Sequence, residues 1–348
     1  MLGRIQIWVK YHIFPYAANF KSSFGVSIAI HKTMFILKIK QLYILFILLL
    51  SMVVLPISAH GIDSCRDLLH ITAYSHLSPE AKRTLQLLER KIHPAEFKTL
   101  QRRWARLDLL IGKFEWEKFY ADVRQLTPAE AEKFSLIQKT RMSSSTTISG
   151  TNMNDRKADQ AEINWLKADN QVHDWVSASV PMTIERIFEL NKIIGVNLYF
   201  NGNQPGRRRT GAVGVTYSQN GRSKFQAALA VENIEPLLKH FMNWYNASEG
   251  KMHPIHLAAQ VYQRLNTIHP FPDGNGRTTR LIMDWVLRTH GYPPSLFLKL
   301  ESTFVVIFPD DQLGRNPTPG LVEDTVTVGL EWVENLLHPV QADAAVGN

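Results

Sequence analysis

The chain has 348 residues, 45% of them hydrophobic and 20% charged, which supplies a packed core and excludes wholesale disorder. A single cysteine, Cys65, excludes a disulfide framework and a cysteine-built zinc site. The formal charge of +8 is concentrated at the start: residues 1–41 hold six of the 39 bases and no acid, leaving 33 bases against 31 acids beyond, poor ground for nucleic-acid binding.

The first element is a leader over residues 1–59. The uncharged run Leu42–Ile57 follows Lys38 and Lys40 and precedes the small residues Ser58 and Ala59, the order of a signal peptide. A start at Met34 gives that reading an ordinary length, whereas translation from Met1 makes the run a short membrane anchor. In either case the basic side stays cytoplasmic, so the rest of the chain is expected to be exported or to lie on the non-cytoplasmic side.

Residues 60–139 read as a helical N-terminal extension. Ser78 followed by Pro79 marks a helix start, with Leu85, Leu88 and Ile92 at helical spacing. Trp104, Leu107, Leu110 and Ile111 form a second apolar stripe. Thr127-Pro128-Ala129-Glu130 is a capping box ahead of Phe134 and Ile137.

Residues 140–160 are polar and rich in Ser and Thr and read alone as a linker. Helical patterns resume over 161–176 and 183–194. The runs Thr210–Tyr217 and Lys224–Leu229 flank an Asn220-Gly221 pair, a hairpin signal. Helices return over 234–245 and 255–265. The fold class is therefore mainly α with one β-hairpin.

Residues 269–280 read His-Pro-Phe-Pro-Asp-Gly-Asn-Gly-Arg-Thr-Thr-Arg. Pro270 and Pro272 stop the preceding helix, and Gly274 and Gly276 let backbone approach a ligand closely. A helix starting near Asn275 presents its N-terminal amides and dipole to an anion, with Arg277 and Arg280 on neighbouring faces. Asp273 is placed to hold a phosphate-bound Mg²⁺, and His269 is a candidate general base. The assembly suits a nucleoside triphosphate–Mg²⁺ complex.

This stretch resembles the signature of the Fic-domain family, His-x-Phe-x-(Asp/Glu)-Gly-Asn-Gly-Arg-x-x-Arg, at all eight fixed positions. A chance match in a chain this long is on the order of 10⁻⁸ with even residue usage. Gly206-Arg207-Arg208-Arg209-Thr210 sits where the family has Gly-x-(Phe/Tyr)-Arg-(Thr/Ser), with Arg208 in place of the aromatic residue. The similarity covers about residues 140–300, which makes that stretch the catalytic domain and 301–348 a C-terminal extension. The resemblance implies transfer of AMP from ATP to a Ser, Thr or Tyr hydroxyl of another protein. His269 would deprotonate the hydroxyl and Asp273 would bind Mg²⁺. Gly274, Asn275 and Gly276 would hold the α- and β-phosphates, Arg277 would pair with phosphate, and Arg280 would hold the γ-phosphate. The hairpin would act as a flap gripping an extended target segment, with Thr210, Val213, Val215 and Tyr217 as its contact residues.

The family's inhibitory segment, (Ser/Thr)-x-x-x-Glu-(Gly/Asn), has a partial match in Ser145-Thr146-Thr147-Ile148-Ser149-Gly150, with Ser149 in the glutamate's place. A serine hydroxyl makes no bidentate pair with an arginine, so the resemblance implies an enzyme lacking glutamate autoinhibition. Two other functions stand beside AMP transfer. One is transfer of another phosphate-containing group, or AMP removal, on the same scaffold. The other is a membrane-tethered module without catalysis.

Overall fold

The computed structural model describes residues 77–147, 155–198, 204–219, 222–296 and 320–338. All of them fall in one compact unit, residues 73–348. The apolar run 42–57 lies outside the described residues, among which no helix is long and apolar enough to cross a membrane.

The described elements are helical apart from one hairpin. Helices α1 (Pro79–Leu88), α2 (Pro94–Leu107) and α3 (Trp116–Tyr120) come first, then α4 (Pro128–Thr147), α5 (Asp155–Ser177) and α6 (Ile184–Gly195). Strands β1 (Gly214–Gln219) and β2 (Arg222–Ala227) follow, then α7 (Ile234–Ser248), α8 (Pro254–Ile268), α9 (Asn275–Thr289) and α10 (Leu321–Leu337). Several starts are where side-chain capping puts them. The Ser78 hydroxyl accepts from the Ala81 amide at 3.1 Å. Thr127 and Glu130 exchange backbone–side-chain bonds at 2.9 and 3.3 Å, a reciprocal box that satisfies two otherwise unpaired donors.

Helices α8 and α9 form the centre and pack along one another. Ile255, Leu257, Ala258, Leu281, Ile282 and Val286 are buried there without exposure. Helix α5 covers α9, α6 packs on both, and α7 lies along α8. Helices α2 and α10 close another side. The Trp104 indole donates to Thr327 Oγ1 at 2.9 Å, and Arg103 reaches Glu331 at 2.7 and 2.9 Å. The N-terminal and C-terminal extensions thus share one core with the central helices. Ile111, counted with the Trp104 stripe in the sequence, is instead 45% exposed because the chain leaves the helix at Leu107.

The polar stretch expected as a linker is helical over much of its length, since α4 runs to Thr147 and α5 starts at Asp155. The reason lies in distant partners. Arg141, on α4, is 3% exposed and bonds Asp169 of α5 at 2.9 Å and Asp284 of α9 at 2.6 Å. Arg288 joins the same carboxylate of Asp169, and Arg288 Nη1 also lies 2.6 Å from the Tyr120 hydroxyl. Ion pairing across three helices fixes a segment whose local pattern is weak.

The hairpin is antiparallel, with Gly214 opposite Ala227 and Gln219 opposite Arg222. Strand β1 starts and ends later than the run Thr210–Tyr217, and β2 starts and ends earlier than the run Lys224–Leu229. Thr210 and Val213 precede β1, while Val215 and Tyr217 lie on it. Asn220 and Gly221 lie outside the described residues, as does Ser149.

Candidate active site

Helix α8 ends at Ile268 because Pro270 and Pro272 cannot continue its ladder. His269 caps it in the left-handed region, at φ 50° and ψ 59°, with its amide on the Leu265 carbonyl at 3.0 Å. That conformation is disfavoured for a residue with a Cβ, and a following proline restricts it further. Surrounding bonds hold it in place. The Arg209 Nε donates to the His269 carbonyl at 2.8 Å, and the Arg209 amide donates to the Pro270 carbonyl at 2.9 Å.

The His269 ring has a defined tautomer. Its Nδ1 lies 3.1 Å from the Asn266 carbonyl, an oxygen that only accepts. In the neutral ring Nδ1 therefore carries the proton and Nε2 the lone pair. Protein packed round the ring pushes its pKa down to about 4, chiefly through burial, with the charge of Arg209 adding to it. The ring is neutral at physiological pH and presents a base on Nε2.

The loop after it is fixed from within. Phe271 is 1% exposed and meets Phe188 of α6 edge to face at 4.9 Å. The Asn275 amide spends both ends on Phe271: its Nδ2 donates to the Phe271 carbonyl at 2.8 Å, and its Oδ1 accepts from the Phe271 amide at 2.9 Å. These two bonds shape the loop ahead of α9 and leave the amide a second N–H and a second lone pair. Gly274 turns the chain at φ 75°, and α9 begins at the next residue.

Two buried guanidiniums follow on α9. Arg277 is 1% exposed; one nitrogen lies 3.5 Å from Asp273 Oδ2, while its Nε and Nη1 are buried donors without an acceptor among the described residues. Arg280 is 5% exposed and hydrogen-bonds the Tyr262 hydroxyl. Burial pulls its pKa below the ordinary arginine value, and the Arg277 charge acts in the same direction. A Cβ on Gly276 would come 3.2 Å from Arg280 Nη1, so the glycine leaves that guanidinium its room. Two cations sunk side by side at a helix N-terminus are relieved by an anion.

Asp273 lies just before α9 with its side chain 38% exposed. Among the described residues no group of three or more His, Cys, Asp or Glu side chains comes together. A single exposed carboxylate beside an anion site fits Mg²⁺, which takes few protein ligands and many from phosphates. Sequence reasoning missed Asn191 of α6. It is fully buried, donates to the Asp273 carbonyl at 3.0 Å and to Thr278 Oγ1 at 3.1 Å, and accepts from the Gly206 amide at 3.0 Å. A buried asparagine in an apolar helix is the one local signal that pointed to it. Of the three consecutive arginines, Arg207 and Arg208 are exposed, Arg208 pairing with Glu235 at 2.9 Å, and Arg209 alone is buried.

The chain is similar to known proteins in sequence and in fold. Residues 181–287 match the model of the Fic/DOC family. A uridine 5'-monophosphate transferase from Xanthomonas campestris pv. campestris is 33% identical over 208 residues, covering 58% of this chain and 37% of that protein. A protein adenylyltransferase Fic from Aedes aegypti is 45% identical over 68 residues, covering 19% of this chain and 14% of that protein. The chain thus spans well under half the length of these relatives. A crystal structure of a Fic family protein from Desulfovibrio desulfuricans superimposes with a TM-score of 0.52 at 18% identity, covering 73% of this chain and 78% of that one, which identifies the shared helical fold.

Proposed function

We propose, from the premise that this chain is a Fic-domain family member, that it transfers AMP from ATP to a Ser, Thr or Tyr hydroxyl of a target protein. The observation that carries the reading is His269: a ring held neutral, with Nδ1 on the Asn266 carbonyl, in the loop that leads to the helix carrying the buried Arg277 and Arg280. His269 Nε2 takes the hydroxyl proton while that oxygen bonds to the α-phosphorus. The bond from the α-phosphorus to the oxygen bridging to the β-phosphate breaks, and pyrophosphate leaves with the electron pair. The Arg277 donors lacking an acceptor among the described residues meet phosphate oxygens, and Arg280 meets the outermost phosphate. Backbone amides at the start of α9 complete the cradle. Asp273 would hold Mg²⁺, which when bound neutralises charge on the leaving phosphates.

Among the described residues the hairpin has no third strand, and its edge is proposed to dock an extended target segment, with Thr210 and Val213 ahead of β1 and Val215 and Tyr217 on it as contact residues. With Ser149 where the family's inhibitory glutamate stands, the enzyme is proposed to bind ATP productively without release of a clamp. The order of bases and apolar residues over 1–59 supports export or anchoring, with the catalytic unit on the non-cytoplasmic side.

A second reading, UMP transfer from UTP, is favoured by the longer alignment with the Xanthomonas campestris transferase. Parallel incubation with α-labelled ATP and UTP tests both. Protein-bound label from ATP with none from the γ-phosphate supports AMP transfer; label from UTP alone supports the second reading; label from neither, with a protein mixture as target, defeats both.

A further inference from the structure

We propose that Arg209 is a positioning residue that sets the His269 backbone and binds both feet of the hairpin to it, so that base and target-docking strand form one unit. This rests on the reading of His269 as the base. Arg209 is 2% exposed. Its Nε donates to the His269 carbonyl at 2.8 Å and its Nη1 to the Gly211 carbonyl at 3.1 Å, and its Nη2 donates to the Leu229 carbonyl. Gly211 precedes β1 and Leu229 follows β2, so one planar guanidinium joins three separate segments. The backbone adds a fourth link, from the Arg209 amide to the Pro270 carbonyl.

The His269 conformation explains why such a device is needed. A left-handed histidine before proline sits in a sparsely populated region and persists only where neighbours over-determine it. The Arg209 fork fixes the carbonyl of that residue, and with it the direction of the ring. The fork geometry matters as well as the charge: five donors in one plane serve three carbonyls, whereas a lysine ammonium on a flexible stem does not keep three such directions at once. Loosening this point releases the hairpin feet and the histidine together, and a misplacement of about 1 Å costs on the order of 10²-fold in rate.

The test uses the full chain carrying Arg209→Lys, which keeps the charge, with Arg209→Gln as the second variant. The first measurement needs no activity: ¹⁵N-histidine spectra of the unliganded protein, assigned by loss of the resonance in His269→Ala. Wild type shows the Nδ1–H tautomer of His269; Arg209→Lys is expected to lose that single tautomer while thermal unfolding stays cooperative. Transfer by Arg209→Lys is expected to fall about 10²-fold in kcat at unchanged nucleotide affinity. An unaltered His269 tautomer together with transfer within threefold of wild type overturns the proposal. So does a fall in nucleotide affinity that accounts for the whole rate loss, since that marks Arg209 as general scaffolding. If wild type transfers no label from ATP or UTP, the function fails instead, and the tautomer measurement alone decides the role of Arg209.

Discussion

The Asn191 amide donates to the backbone carbonyl of Asp273 at 3.0 Å, across 82 residues of sequence. The same amide nitrogen also lies 3.1 Å from Thr278 Oγ1, and the Asn191 oxygen takes the Gly206 amide. One side chain from α6 therefore holds the residue proposed to bind Mg²⁺, the first turn of the helix proposed to cradle phosphate, and the chain leading to Arg209. Removing it leaves buried groups unpaired, each costing about 1–3 kcal/mol. Asn191→Ala is expected to lower the thermal midpoint and to weaken nucleotide binding, with His269 still neutral. Calorimetry and a nucleotide titration check this; unchanged affinity in a destabilised variant would restrict Asn191 to the fold.

His269→Ala is expected to reduce transfer by about 10²–10⁴-fold while nucleotide affinity stays near wild type. The pH dependence follows from the direction of the shift. The folded-state pKa of about 4 lies below the ordinary histidine value, so the neutral base predominates at every pH above about 4. The kcat/KM profile of wild type should then show no histidine break between pH 5 and 8. A break near pH 6.5 would mean that the ring is exposed to water in the working enzyme.

Asp273→Ala is expected to abolish most transfer and to remove the dependence on added Mg²⁺ of whatever remains. Its exposed position beside Arg277 makes it the carboxylate best placed to reach a phosphate-bound cation. Titrating Mg²⁺ at fixed ATP measures the effect. Wild-type Mg²⁺ dependence in the variant would send the metal elsewhere.

The buried ion network of Arg141, Asp169, Asp284 and Arg288 predicts a stability effect. Burial alone would raise the Asp169 carboxyl, and Arg141 and Arg288 overcome it, holding it well below the ordinary carboxylate value. The stabilisation is present above the unfolded carboxylate pKa of about 3.9 and is lost as pH falls through the lower folded value. Arg141→Ala leaves Asp284 and half of the Asp169 pairing uncompensated, expected to cost about 3–5 kcal/mol. Denaturant unfolding at pH 7 reads this directly; a loss under 1 kcal/mol would show that Arg288 suffices for Asp169 and the Ser295 amide for Asp284.

What the sequence made legible was local. The proline stop, the glycine turn and the α9 start are written into residues 269–276, and the Thr127–Glu130 box shows in four consecutive positions. What it hid depends on distant pairs. Arg141 sits in a polar stretch that reads as linker until Asp284, 143 residues away, is seen against it. Arg209 looks like its two exposed neighbours until its carbonyl partners at 211, 229 and 269 are known. Asn275 carries a motif position, yet its amide serves the loop backbone, a choice no spacing reveals.

The last prediction concerns the segment leading on from α4. That helix runs to Thr147, and Arg141 ties it to Asp284, one turn beyond Arg280 on α9. Ser149 follows two residues after the described end of the helix. A glutamate in its place would bring a carboxylate on a longer stem, able to pair with an arginine fork where a serine hydroxyl makes no charged bond. Arg280 is the proposed counterpart, because burial already disfavours its charge and a partner anion would relieve it. Such a pair would occupy the place proposed for the outermost phosphate. Ser149→Glu is therefore expected to lower auto-modification at limiting ATP by at least about tenfold, a coupling of ~1.4 kcal/mol. Adding Arg280→Ala should not restore the rate, since that arginine also serves the nucleotide. Auto-modification with labelled ATP measures both variants. An unchanged rate in Ser149→Glu would mean that residues 145–150 do not approach the phosphate site, and a wild type that is inactive until some other acid is replaced would place the clamp elsewhere in the chain.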